Sequence, residues 1–117
     1  MMKARAEWEK TVELDPRYAL AWASLGDSYY LSEDLDRAAY CFERALDADP
    51  DNPKTIYNLA KVEEKLGQPQ KALYYYEAFL AKAPSRYAQL FPAVAARVEM
   101  LRRETGGSPA AKGREGR

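Results

Sequence analysis

The stretch AWASLGDSYYLSEDLDRAAYCFERALDADP, residues 21–50, decides the fold because its aromatic, small and proline residues return at regular intervals. Apolar residues follow helical spacing twice within it, first from Trp22 to Tyr29 and then from Ala38 to Leu46. A proline, Pro50, follows the second run and cannot continue a helix. The stretch therefore predicts two short helices joined by a tight turn.

The same pattern recurs along the chain at an offset of 34 residues. Size and polarity are kept at most pairs of positions that this offset relates: Trp22 and Ile56, Leu25 and Leu59, Gly26 and Ala60, Phe42 and Tyr76, Leu46 and Leu80, and Pro50 and Pro84. The opposite step matches Trp8 to Phe42 and Pro16 to Pro50. The repeat therefore runs through three registers and predicts an array of similar helix pairs.

Helix start and stop signals fall between the periodic segments. Asn52 before Pro53 predicts an N-cap and a first helical residue, and Gly67 predicts the end of a helix. Ser85 predicts the cap of the last helix, and Pro92 predicts either a kink in that helix or its true start. We predict six helices near residues 2–14, 17–31, 35–48, 53–66, 69–82 and 86–104.

The pattern resembles the signature of the tetratricopeptide repeat, carried here by Trp22, Leu25, Gly26, Tyr29, Ala38, Phe42, Ala45 and Pro50. The second unit departs from that signature at Ile56, Glu63 and Phe79. The resemblance implies an all-α solenoid of antiparallel helix pairs that form a right-handed superhelix. It also implies that the small residues Gly26 and Ala38 let the two helices of their pair approach closely. We expect a domain over residues 1–104 and a flexible tail over 105–117, the domain comprising a half unit 2–16, full units 19–52 and 53–86 and a closing helix 87–104.

Composition narrows the range of functions. The 117 residues contain no histidine and one cysteine, which argues against a zinc site and against histidine acid–base chemistry. Eighteen basic and eighteen acidic residues give no net charge, so we predict no nucleic-acid partner. Without histidine the usual general base is missing, so we predict a protein that is not an enzyme and uses no cofactor. No apolar run is long enough to cross a bilayer and no signal peptide is evident, so we predict a cytoplasmic protein with no membrane partner.

The resemblance implies that the first helix of each unit lines a concave groove, which would hold a peptide or helix of a partner protein. The leading hypothesis is therefore a scaffold or adaptor. The groove residues predicted by helical spacing are Leu20, Ala23, Asp27, Tyr30, Lys54, Tyr57, Asn58, Lys61, Glu64 and Phe91. The competing interpretation is a solvated face in which Asp27 pairs with Lys61.

The family that the chain resembles also uses a clamp of lysine, asparagine and arginine side chains for a partner's terminal carboxylate. Only Asn58 matches that clamp here, and Asp27 would repel a carboxylate. We therefore expect no preference for a free C-terminus in a bound peptide.

The N-terminal segment supports a second hypothesis, a structural module that self-associates. Ala4, Trp8 and Pro16 match the second helix of a unit whose first helix is absent. A homodimer that pairs these helices would cover the Trp8 side chain. The alternative is that Trp8 packs against the following helix and the chain is monomeric.

Overall fold

The structure, a computed structural model, describes residues 2–106, with the side chains of residues 5–106. This part of the chain contains helices and no strand. The elements are α1 (Met2–Leu14), α2 (Ala19–Leu31), α3 (Leu35–Ala48), α4 (Pro53–Lys65), α5 (Pro69–Lys82), a 3₁₀ helix (Ser85–Leu90) and α6 (Phe91–Thr105). The predicted all-α fold is confirmed. The predicted tail lies outside the described residues from Gly107 onward.

Side-chain caps fix two of the helix starts. The Asn52 side-chain oxygen accepts hydrogen bonds from the backbone N–H groups of Lys54, at 3.1 Å, and Thr55, at 3.4 Å. Pro53 follows in the first turn, where its missing N–H costs nothing. Asp34 caps α3 in the same way by accepting from the Arg37 backbone at 3.3 Å. The cap predicted at Asn52 is therefore confirmed.

The last helix differs from its predicted span of 86–104. Residues Ser85–Leu90 form a 3₁₀ helix, and α6 begins only at Phe91 with Pro92 in its first turn. The Ser85 side chain makes no capping hydrogen bond, so that prediction is wrong. A proline ring inside an α-helix clashes with the preceding turn, which is why Pro92 marks a start and not a kink.

The array is built by packing each helix against the next one along the chain. The pairs α2 with α3 and α4 with α5 make the most extensive contacts, and α3 with α4 joins the two pairs. Buried apolar side chains form two clusters, the first around Leu25 and Phe42 and the second around Leu73 and Phe79. The 34-residue repeat therefore produces two similar apolar cores that lie side by side.

Gly26 lies where the two helices of the first pair cross. A Cβ atom on this residue would be 2.5 Å from Cε1 of Phe42, closer than side chains tolerate. The Phe42 ring is only 1% exposed and occupies the space directly over the glycine. Close packing at Gly26, expected from the sequence, is therefore confirmed in this geometry.

The closing helix α6 has one buried face. Val94, Val98 and Leu101 are buried in the second cluster, while Glu99 and Arg103 are exposed. An ion pair of 2.8 Å between Arg102 and Glu77 of α5 joins the polar edges of the two helices. This asymmetry lets α6 cover the end of the core. No helix among the described residues has the length and hydropathy needed to span a membrane.

Candidate protein-binding groove

The helices α2, α4 and α6 lie side by side and form one face of the array. The Asn58 side chain on α4 donates a hydrogen bond to Asp27 on α2, with 3.4 Å between Nδ2 and Oδ1. On the other side of α4, Glu64 forms an ion pair with Arg97 of α6. These two contacts join the three helices into a continuous surface, which we call the groove.

Lys61 occupies the middle of the groove between two aromatic rings. Its Nζ atom lies 5.6 Å from the centre of the Tyr30 ring on α2 and 5.3 Å from that of the Tyr57 ring on α4. Such cation–π contacts contribute about 0.5–1 kcal/mol each at exposed sites. They fix a cationic group on a partly apolar surface.

Glu64 contacts two other side chains of the groove. Its carboxylate accepts a hydrogen bond of 3.0 Å from the Tyr76 hydroxyl and also pairs with Arg97. Burial raises the pKa of Tyr76 to about 12, so its hydroxyl stays protonated and remains a donor. An open depression of about 500 Å³ surrounds these groups and is lined by Tyr57, Lys61, Glu64, Lys65, Tyr76, Ala93 and Arg97.

Asp27 does not pair with Lys61 in the way that the competing interpretation requires. Its hydrogen-bonding partner is Asn58, and the Lys61 ammonium lies over the tyrosine rings. Burial raises the pKa of Asp27, and the charge of Lys54 opposes that shift. The groove therefore keeps Lys61 free of a carboxylate partner among the described residues.

All ten predicted groove residues lie on the three helices that form this surface. Leu20 and Lys54 are exposed, Ala23 is half-buried, and Asp27, Tyr30, Tyr57, Asn58, Lys61 and Glu64 make the contacts described above. Phe91 differs, because its ring packs on Phe79 of the second cluster with 6.0 Å between ring centres. Ala93 and Arg97 line the depression beside Lys61 and Glu64.

Arg97 was missed because the 34-residue step does not continue into α6. Ala93, which the step relates to the buried Leu59, is exposed, so α6 turns a different face to the core than α4 does. A usable signal was the apolar stripe of Val94, Val98 and Leu101, since helical spacing places Ala93 and Arg97 together on one flank of it. The other flank contains Phe91.

The N-terminal residues predicted for self-association lie on α1. Trp8 is half-buried and packs against the first cluster, so it covers that core from the α1 side. The side chain of Ala4 lies outside the described residues. The Arg5 guanidinium lies 4.4 Å from the centre of the Tyr29 ring and donates hydrogen bonds of 2.9 Å to the hydroxyls of Ser28 and Ser32.

Two other features of the sequence suggest chemistry but serve packing. Of the three consecutive tyrosines, Tyr76 is buried, Tyr75 is half-buried and Tyr74 is exposed, so they form no common stacking surface. Burial raises the pKa of the Cys41 thiol to about 11, with Glu9 and Asp34 adding to the shift. A thiol with that pKa stays protonated and is a poor nucleophile at neutral pH.

Known proteins resemble this chain in sequence and in fold. The chloroplastic tetratricopeptide repeat domain-containing protein PYG7 of Arabidopsis thaliana is 42% identical over 50 residues, covering 43% of this chain and 17% of that protein's length. The Yersinia enterocolitica type III secretion chaperone SycD, solved in complex with a peptide of the translocator YopD, shares the fold with a TM-score of 0.79. That match has 14% identity and covers 88% of this chain and 80% of SycD. A family model described as the tetratricopeptide repeat matches residues 18–103, so the chain belongs to the tetratricopeptide repeat family.

Proposed function

We propose that this chain is a non-catalytic scaffold or adaptor that holds a peptide or helix of a partner protein in the groove of α2, α4 and α6. The observation that carries the proposal is the open depression where aromatic rings and charges of both signs meet on three helices. The solved complex of SycD with a translocator peptide supports it, since that chaperone has the same fold.

The chemistry of the groove suits a segment with both apolar and polar side chains. Tyr30 and Tyr57 offer ring faces that an apolar side chain can cover, and Lys61 offers a charge that a partner carboxylate can pair with. Glu64 is already matched by Arg97 and Tyr76, so it can be covered without leaving a lone buried charge. The groove can therefore be covered at low electrostatic cost.

Variants that test the groove must leave the core intact. Tyr57 packs against Phe79 with 5.3 Å between ring centres, so its truncation would disturb the second cluster. Lys61 and Lys65 carry their charges at the surface of the depression, and they can be reversed with little loss of packing. Tyr74 on α5 is exposed outside the groove and gives a matched control.

The experiment uses peptides selected from a displayed random library on the wild-type protein, with affinities then measured by calorimetry. We expect Lys61→Glu and Lys65→Glu to weaken binding by roughly tenfold or more, the effect of losing about 1.4 kcal/mol at a binding hot spot. Tyr74→Ala should bind as the wild type does. Equal affinities for all four proteins would overturn the proposal, and melting temperatures would show that each variant is folded.

A second candidate function is self-association through α1. This helix packs mainly on α2, and Leu14 at its end is 78% exposed. A twofold pairing of α1 helices would cover this side chain and the exposed edge of Trp8. Light scattering coupled to size exclusion over a concentration series should then show a homodimer that Leu14→Glu dissociates. A monomeric wild type at the highest concentration would exclude this function.

A further inference from the structure

A smaller depression of about 260 Å³ lies between α3, the end of α4 and the start of α5. None of its lining residues belongs to the groove, so it is a separate surface. Pockets for drug-sized ligands are larger, roughly 300–1,000 Å³, whereas this one suits a single side chain. It is lined by Asp36, Ala39, Tyr40, Glu43, Glu63, Leu66, Gln68 and Lys71.

Glu63 is the unusual member of this pocket. It is only 2% exposed, and no residue that the structure describes forms a hydrogen bond or an ion pair with its carboxylate. Burial raises its pKa, the nearby charges of Glu43 and Asp36 raise it further, and Lys71 alone opposes them. Among the described residues the Glu63 carboxylate oxygens are not fully enclosed, so they open onto the pocket, where three acids meet one lysine. The pocket is therefore short of cations.

The equivalent place one repeat earlier shows what the pocket lacks. The 34-residue step relates Ala39 on α3 to Arg5 on α1, and Glu63 on α4 to Tyr29 on α2. Where α1 meets α2, the Arg5 guanidinium covers the Tyr29 ring at 4.4 Å and donates to Ser28. Where α3 meets α4, the arginine is replaced by the methyl group of Ala39.

The glutamate that contacts Tyr29 in the first repeat has a counterpart in the pocket. Glu9 accepts a hydrogen bond of 2.8 Å from the Tyr29 hydroxyl, and the repeat relates it to Glu43. At the position of Tyr29, whose hydroxyl is the donor, the next repeat has Glu63, which adds a second carboxylate. In the first repeat, Arg5 therefore lies close to one acid, Glu9. In the next repeat, two acids, Glu43 and Glu63, line an open depression with no arginine in it.

We propose that this pocket receives the guanidinium group of an arginine side chain of a partner protein. Three carboxylates face one lysine there, so charge complementarity favours a cation. Arginine fits better than lysine because its planar fork can donate to two carboxylates at once. Tyr40 lies at the rim of the pocket and is 54% exposed, and the Arg44 guanidinium already lies 5.3 Å from the centre of its ring.

The first test titrates the protein with acetyl-Gly-Arg-Gly-amide and follows backbone amide shifts by NMR. Shifts should centre on Glu43 and Glu63, and the matched citrulline peptide, which has the same shape without the charge, should produce none. Glu63→Gln should weaken arginine binding by roughly tenfold or more, as expected when one partner of a desolvated charge pair is removed. Glu13→Gln removes an exposed carboxylate of α1, outside the pocket and the groove, and should bind like the wild type.

The second test fills the pocket from within and needs no ligand. Ala39→Arg places a guanidinium where Arg5 lies in the preceding repeat, and Ala39→Met adds similar bulk without charge. We expect a higher melting temperature for Ala39→Arg than for Ala39→Met, and no response of Ala39→Arg to the arginine peptide. Equal responses to the arginine and citrulline peptides, or a lower melting temperature for Ala39→Arg, would overturn the proposal. The groove variants do not enter either comparison, so failure here leaves the proposed function standing.

Discussion

At the scale of single residues, Gly26 sets the distance between α2 and α3. Its Cα atom lies against the buried Phe42 ring, and an added Cβ would be 2.5 Å from that ring. Alanine has the better helix propensity, by about 1 kcal/mol, and would stabilise an isolated α2. At this position the contact with Phe42 outweighs that gain because neither helix can move without opening the first cluster.

We expect Gly26→Ala to lower the free energy of unfolding by about 1–3 kcal/mol, the usual cost of overpacking. Denaturant unfolding followed by circular dichroism measures the change. The double variant Gly26→Ala with Phe42→Leu should lose less than the sum of its single changes, since the smaller side chain relieves the clash. Wild-type stability in Gly26→Ala would show that the helices separate freely at this point.

Glu63 makes stability depend on pH in a direction unusual for a carboxylate. Burial raises its pKa from the ordinary value of 4.5, so the folded protein binds this proton more tightly than the unfolded chain does. The stabilisation is fully present below the unfolded pKa and is lost as pH rises through the folded pKa. At neutral pH the ionised carboxylate is therefore a cost.

We expect Glu63→Gln to melt at a higher temperature than the wild type near neutral pH, with the difference shrinking at about pH 4, where the wild-type carboxyl is protonated. Thermal unfolding at a series of pH values measures it. Glu13→Gln, a change at an exposed position on α1, serves as the control and should show no such trend. A constant difference across the series would mean that Glu63 does not titrate in this window.

Residues with a steric requirement were predictable from the sequence, whereas those set by neighbouring elements were not. The repeat predicted close packing at Gly26, and the pair Asn52 and Pro53 predicted a helix start, because only a few residue types satisfy those positions. Glu33 has a left-handed backbone with φ of 62°, at the position one repeat before Gly67 with φ of 76°. Nothing in a glutamate indicates that conformation, which the turn after α2 imposes.

At the scale of elements, α1 packs on the array through Trp8 and Val12, and its polar contacts with α2 come largely from one side chain. Arg5 covers the Tyr29 ring and donates to the hydroxyls of Ser28 and Ser32, all on α2 or immediately after it. The Tyr29 hydroxyl adds a further polar contact by donating a hydrogen bond to Glu9 of α1. An element with few buried contacts opens locally before the rest of the molecule unfolds.

We therefore expect Arg5→Met to increase hydrogen exchange of the α1 amides while leaving α4 and α5 protected. The change removes charge-assisted hydrogen bonds that contribute about 1.5–3 kcal/mol when well formed. Lys10→Met alters an exposed residue of the same helix and should leave the exchange unchanged. Exchange that rose equally in every helix would mean that α1 is part of a single cooperative unit.

The closing helix shows why the groove was only partly predictable. The groove positions on α2 and α4 follow from one repeat step, and the contacts of Asp27 with Asn58 and of Lys61 with Tyr30 lie where that step places them. On α6 the step fails because Pro92 shifts the start of the helix. Arg97 then reaches Glu64 through a rotation that no single repeat contains.

At the scale of the whole molecule, two half-buried side chains of the described residues pack against both apolar clusters. Leu46 and Tyr75 are the half-buried residues that pack against both clusters. Cooperativity in a repeat array depends on such contacts between neighbouring units, since each unit contacts only the next. The array should therefore unfold as one body only while this boundary is intact.

The two tryptophans allow the boundary to be tested directly. Trp8 and Trp22 both pack against the first cluster, so their fluorescence reports on that half of the array, whereas circular dichroism reports on every helix. In the wild type the two signals should give coincident denaturation curves. We expect Leu46→Ala to separate them and to lower the apparent m-value, because the halves then unfold independently. Leu80→Ala removes the same side chain from the second cluster and should shift the midpoint with less separation. Coincident curves and an unchanged m-value in Leu46→Ala would place the coupling in the backbone packing of α3 against α4 and not in this side chain.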